Sequence, residues 1–134
     1  MSTELFGPGL TKFKVLVVDD EQVLRTMIVY SLQALGIKKI TLANNGDEAL
    51  LKMEIAGPFD LIICDWVMPG MNGLDYLKKI RADNCKAKFL MLTGKATGEA
   101  VAEAMAAGAD SYIAKPFNVK DLRKRLVHIT KDLK

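Results

Sequence analysis

With 134 residues, 50% of them hydrophobic and 26% charged, the chain carries enough apolar side chains for one domain with its own core, without disulfide or metal staples. A net charge of +3 is too small for a dedicated nucleic-acid binder, and no run approaches the roughly 18 apolar residues of a membrane span. Cys64, inside an apolar run, and Cys85, in a polar connection, show no ligand-like spacing to His128, so both read as free thiols of a reducing compartment. The expected location is the cytoplasm.

The opening segment MSTELFGPGLTKF lacks the long apolar stretch of a secretion signal, and serine at position 2 removes the glycine that myristoylation needs. Residues 1–13 are expected to be a tail, with the domain spanning 14–134. The first strand is KVLVV, from Lys14. Leu24, Met27/Ile28, Leu32 and Leu35 then recur at helical spacing, and Gly36 follows as a C-terminal cap. The second strand is KITLA. A helix from Asp47 to Ala56 turns Ala49, Leu50 and Met53 inward and stops at Gly57 and Pro58. LIIC makes the third strand, and Leu74, Leu77 and Ile80 mark the next helix. After FLMLT, the fourth strand, a helix from Gly98 to Ala107 offers alanines with Val101 and Met105 as a thin inward stripe. SYIA is the fifth strand. The last helix starts from Asn118 as N-cap and carries Leu122, Leu126, Ile129 and Leu133 along one side.

Short, β-rich apolar runs alternating with amphipathic helices predict an α/β fold, with five parallel strands joined by crossover helices. The strand runs are mostly continuous because helices cover both sheet faces. No linker, low-complexity tract or repeat interrupts the pattern, so one domain is expected.

The polar residues fall in a second pattern. Asp19 and Asp20 follow the first strand, Asp65 the third, Thr93 the fourth and Lys115 the fifth. All leave the sheet at its carboxyl edge, where open parallel sheets bind their ligands. Singly, each has a plainer role: Asp20 as a helix cap, Asp19 beside a helix N-terminus, Asp65 in a turn, Thr93 as a strand-end hydroxyl, Lys115 as a solvated charge. Three acids, a base and a hydroxyl converging on one edge define a site instead. Crowded carboxylates repel one another unless a cation compensates, and Mg²⁺ favours oxygen ligands together with phosphate oxygens. A carboxylate beside such an ion can attack phosphorus to form an acyl phosphate, while the ion and Lys115 neutralise the transferred group.

The segments VVDDE, DWVMPGMNG, LTGKA and YIAKPF, taken in order over residues 14–134, resemble the receiver domain of two-component response regulators, in the style of stand-alone CheY-like proteins. That resemblance implies a flavodoxin-like sheet with strand order 2-1-3-4-5, as known for CheY. It also implies that Asp65 accepts a phosphoryl group from the phosphohistidine of a sensor histidine kinase. Asp19, Asp20, Asp65 and the Val67 backbone carbonyl would serve Mg²⁺, and Thr93 and Lys115 would contact the phosphoryl oxygens. A cis bond between Lys115 and Pro116 is implied, as is an inward turn of Tyr112 that reshapes the face of the fourth helix, fifth strand and fifth helix for a downstream protein. Two positions depart from CheY, which has a polar amide two residues after the acceptor and an acid two residues after the threonine. Here stand Val67 and Lys95, both bordering the phosphoryl group, so acyl-phosphate lifetime and phosphatase docking are expected to differ.

Other functions fit less well. A single-domain relay passing phosphate to a histidine phosphotransfer protein uses the same residues. An aspartate-nucleophile phosphatase commonly needs an acid where Val67 stands, so a turnover enzyme is not expected. TGKAT lacks the opening glycine and placement of a phosphate-binding loop. Lys120, Arg123, Lys124, Arg125, Lys131 and Lys134 make the last helix basic, which reads as a solvated face beside an apolar stripe. His128 reads as a surface residue, and Met68, Met71 and Met91 as packing residues. With no output domain after Lys134, a monomer acting through protein contacts, and not through DNA or membrane, is expected.

Overall fold

The computed structural model describes residues 8–94, 97–131 and 133. Five strands appear, β1 (Lys14–Val18), β2 (Lys39–Ala43), β3 (Leu61–Asp65), β4 (Lys88–Thr93) and β5 (Ser111–Ala114). Between and after them run α1 (Gln22–Ala34), α2 (Gly46–Ala56), α3 (Gly73–Ala82), α4 (Gly98–Ala107) and α5 (Val119–Lys131). Every strand pair is parallel, and the order across the sheet is β2-β1-β3-β4-β5, as the family resemblance implies.

Strand alternation divides the core into two layers. Leu16, Val18, Ile62, Cys64, Phe89 and Met91 face Ala49, Tyr76, Leu77, Ile80 and Ala104, which places α2, α3 and α4 on one side of the sheet. Their neighbours Val15, Val17, Leu61, Ile63, Leu90, Leu92 and Ile113 face Ile28, Leu32, Leu122, Leu126 and Ile129 of α1 and α5 on the other side. Residues 61–64 are buried on both faces, which explains why LIIC shows no polar alternation.

Helix ends follow local chemistry. Asn45, Asn72 and Thr97 accept N–H bonds from Glu48, Asp75 and Ala100 and so cap α2, α3 and α4. Asn118 does the same for α5, its Oδ1 accepting from the N–H of Asp121 at 2.8 Å. Leu35 caps α1, and Gly36 beyond it has φ +94°, the left-handed conformation that glycine adopts at least cost.

Two details depart from the sequence pattern. Met105 is 44% exposed, and the buried residue of α4 is Ala104. Before β1, a short 3-10 turn spans Pro8–Lys12, and Leu10 is 3% exposed within the α1 and α5 layer, where Phe13 and Leu133 also pack. The described end of the expected tail therefore joins the core, and positions 1–7 lie outside the described residues.

Candidate functional site

Hydrogen bonds of the sheet continue one residue beyond three strands. The N–H of Asp19 donates to the Ala43 carbonyl (3.0 Å), that of Trp66 to Leu92 (2.9 Å), and that of Lys115 to Thr93 (2.7 Å). These bonds fix the backbone at the very positions from which the polar side chains leave. The chain runs from β1 to β2 on one side and returns to β3 on the other, so Asp19 and Asp65 straddle the switch point.

A close backbone approach locks Asp65 from outside. The N–H of Gly73 donates to the Trp66 carbonyl at 2.7 Å, and a Cβ on Gly73 would sit 2.4 Å from the Asp65 carbonyl oxygen and 2.9 Å from Trp66 Cα. Only glycine fits there. The turn through Met68, Pro69 and Gly70, where Gly70 has φ +76°, brings α3 back to that contact.

Asp19 is 0% exposed, Asp65 3% and Thr93 2%, which is costly for carboxylates without partners. Lys115 Nζ donates to Asp65 Oδ2 at 2.8 Å and to Glu21 Oε1 at 3.3 Å. Asp19 Oδ1 accepts from the N–H of Glu21 at 2.8 Å, whereas its Oδ2 is buried with no hydrogen-bond partner. Carboxylate oxygens of Asp19, Glu21 and Asp65 all lie within 4.8 Å of one another. The three carboxylates and the Lys115 ammonium sum to 1 − 3 = −2 when all are ionised, and one buried Asp19 oxygen has no hydrogen-bond partner. A hard divalent cation matches both features.

The electrostatics follow from this crowding. Burial pushes the Asp19 carboxyl up to about 6, the Glu21 N–H bond pulls it back in part, and the Asp65 charge raises it further. Burial lowers the Lys115 ammonium, but its hydrogen bond to Asp65 and the charges of Asp65 and Asp19 outweigh that effect and leave it raised.

Not every expected residue joins the cluster. Asp20 is exposed, and among the described residues the group of three contains Glu21 in its place. Glu21 belongs to the VVDDE segment, and its sequence signal was adjacency to the acid pair. Val67 is 71% exposed, so its side chain is directed away from the core, while Trp66 is half-buried against the α3 layer. A cleft of about 730 Å³ opens beside Thr93, lined by Trp66, Val67, Met68, Ala100 and Glu103. Lys115–Pro116 is a cis peptide, and so is Gly57–Pro58. Tyr112 is half-buried on β5, with the Arg125 guanidinium 5.6 Å from its ring centroid. His128 is exposed, as are Lys120, Arg123, Lys124 and Lys131. Lys95 and Lys134 lie outside the described residues. Among those residues, no helix is long and apolar enough to cross a membrane.

A buried carboxylate paired with a lysine at the switch point of a 2-1-3-4-5 sheet defines a receiver-type signalling domain. The profile of the response regulator receiver domain matches residues 15–127, and the chain belongs to that family. Its general role is therefore that of a phosphoryl-accepting signalling module, and domains of this family bind Mg²⁺ at an acidic pocket.

The chain is 40% identical to the chemotaxis protein CheY-3 of Vibrio cholerae over 115 residues, covering 84% of this chain and 88% of that one. It is 39% identical to the chemotaxis protein CheY1 of Helicobacter pylori, covering 84% and 93%. Among solved structures, the chemotaxis response regulator CheY4 of Vibrio cholerae superposes with a TM-score of 0.80 at 37% identity, covering 87% and 98%. The receiver domain of the Francisella response regulator 1452 gives 0.82 at 32%, covering 92% and 100%.

Proposed function

We infer that Asp65 accepts a phosphoryl group from the phosphohistidine of a sensor histidine kinase or a histidine phosphotransfer protein. The supporting observation is the 2.8 Å contact from Lys115 Nζ to Asp65 Oδ2 inside a buried, acidic crevice. An Asp65 carboxylate oxygen forms a bond to phosphorus as the P–N bond breaks, and the imidazole leaves with the electron pair and takes up a proton. Asp19, Asp20, Asp65 and the Val67 backbone carbonyl would hold Mg²⁺. When bound, this ion supplies positive charge against the incoming phosphoryl oxygens. Lys115 holds the acceptor in place and then follows the new charge, and the Thr93 hydroxyl meets a phosphoryl oxygen.

Readout passes through the α4-β5-α5 face. Tyr112 and Arg125 lie on that face, and α4 presents a mostly alanine contact to the body of the domain, which favours movement over repacking. A downstream protein binds there. Close likeness to proteins named for chemotaxis favours that pathway, and a relay to a histidine phosphotransfer protein is the second reading. The domain, with Leu10 ahead of β1 packed into its core, works as a cytoplasmic monomer. It does not act as a turnover enzyme, because Val67 offers no proton to a leaving group.

The test is incubation with Mg²⁺ and acetyl phosphate, followed by intact mass. One base-labile phosphate on the wild type and none on Asp65→Asn is the expected result; equal labelling of both removes Asp65 from the mechanism. Pull-downs with the beryllofluoride-treated protein then separate the pathways: a flagellar switch component supports chemotaxis, and a histidine phosphotransfer protein supports the relay.

A further inference from the structure

Glu21 has an unusual position. It is the N-cap residue of α1, yet its side chain makes no capping hydrogen bond. Instead its carboxylate reaches Lys115 Nζ at 3.3 Å, 94 residues along the chain. Its own N–H is held by Asp19 Oδ1 at 2.8 Å, so the first turn of α1 is fastened to the buried aspartate. The outcome is that carboxylate oxygens of Glu21, Asp19 and Asp65 lie within 4.8 Å of one another, and the fully buried Asp19 keeps one oxygen, Oδ2, without a hydrogen-bond partner.

We propose that Glu21 is a member of the divalent-cation site, holding Lys115 when the site lacks an ion and contributing its charge to the ion when one binds. This rests on the reading of the crevice as a Mg²⁺ site. Lys115 bridges Asp65 and Glu21, and both are partners that an ion would claim. An arriving ion repels the ammonium and attracts the Glu21 carboxylate, so the pair exchanges partners without uncovering a buried charge. Glu21 is exposed enough to make that exchange at little cost, unlike Asp19. The sequence consequence is that the acid following the aspartate pair sets how tightly this chain holds its ion.

The test is a Mg²⁺ titration read by the fluorescence of Trp66, which adjoins Asp65 and is the only tryptophan. Glu21→Gln should weaken Mg²⁺ binding about three- to tenfold, as expected for removing one partly solvated charge a few ångströms from a divalent ion. Glu21→Lys should weaken it further, and the loss should shrink as salt rises. Glu54→Gln, an equal charge change on the exposed side of α2, should leave affinity unchanged. Equal affinity of Glu21→Gln and wild type overturns the proposal, as does an equal loss in Glu54→Gln. Wild-type protein that binds no Mg²⁺ overturns the underlying site reading instead. Melting without Mg²⁺ confirms that each variant is folded, since Glu21 is a surface residue.

Discussion

Lys115 Nζ sits 2.8 Å from Asp65 Oδ2, joining the ends of two strands separated in the sheet by β4. The ammonium pairs with both Asp65 and Glu21, so it both holds the acceptor and competes with any cation for it. Lys115→Ala should therefore bind Mg²⁺ more tightly, by about threefold or more, because a like charge is gone from beside the ion. The same variant should incorporate phosphate from acetyl phosphate more slowly, since nothing replaces the charge that meets the phosphoryl oxygens. Titration and time-resolved intact mass read these opposite effects separately.

Asp19 is buried with one oxygen unpartnered, and its carboxyl is pushed up to about 6. Asparagine keeps an oxygen for the Glu21 N–H and carries no charge. Asp19→Asn should stabilise the ion-free protein at pH 7.5 by about 1–2 kcal/mol and remove most of the Mg²⁺-induced rise in melting temperature. Urea unfolding with and without Mg²⁺ measures both.

A raised acid binds its proton more tightly in the folded state than in the unfolded one. Stability from Asp19 is therefore fully present below about pH 4 and is lost as pH rises through about 6. Mg²⁺ needs the deprotonated carboxylate, so binding runs the other way. Affinity should hold above about pH 6.5 and fall by up to tenfold per unit below about 6. Titrations by Trp66 fluorescence at pH 5, 6 and 7.5 test the sign.

Gly73 faces the Asp65 carbonyl so closely that a methyl group has no room. Both sides of the contact are backbone. Gly73→Ala should cost about 2–4 kcal/mol and displace the acceptor loop, visible as a lowered urea midpoint with reduced phosphate incorporation in the folded fraction.

Leu10 anchors the segment before β1 in the α1 and α5 layer. Leu10→Ala should cost about 1–3 kcal/mol, with phosphate incorporation by the folded protein unchanged. A midpoint equal to wild type would return that segment to the role of a tail.

Much of the architecture was written in periodicity. The continuous run 61–64 and the stripe through Leu122, Leu126 and Ile129 stated which side of each element is apolar, and hydrophobic burial then left little choice of layers. That Asp19, Asp65 and Lys115 come together was legible because each stands at a strand end, and parallel strands deliver their carboxyl ends to one edge. Two features were not legible. Met105 reads as core by its side chain, yet Ala104 is the buried residue of α4, because a one-residue step around a short helix with a thin stripe moves a side chain from core to solvent. Leu10 carries no sequence signal of burial, because a single leucine in a short turn has no period.

Sequence alone determined the order of elements, the faces they bury and the edge that carries the acids, because these follow from chain direction and from the separation of apolar from polar side chains. Tertiary structure alone decided which acids meet. Asp20 and Glu21 are neighbours in the chain, yet only Glu21 reaches Lys115, because the turn into α1 fixes their directions and the crossover order sets β1 beside β3. Charges interact across space, and that space exists only once the sheet has formed.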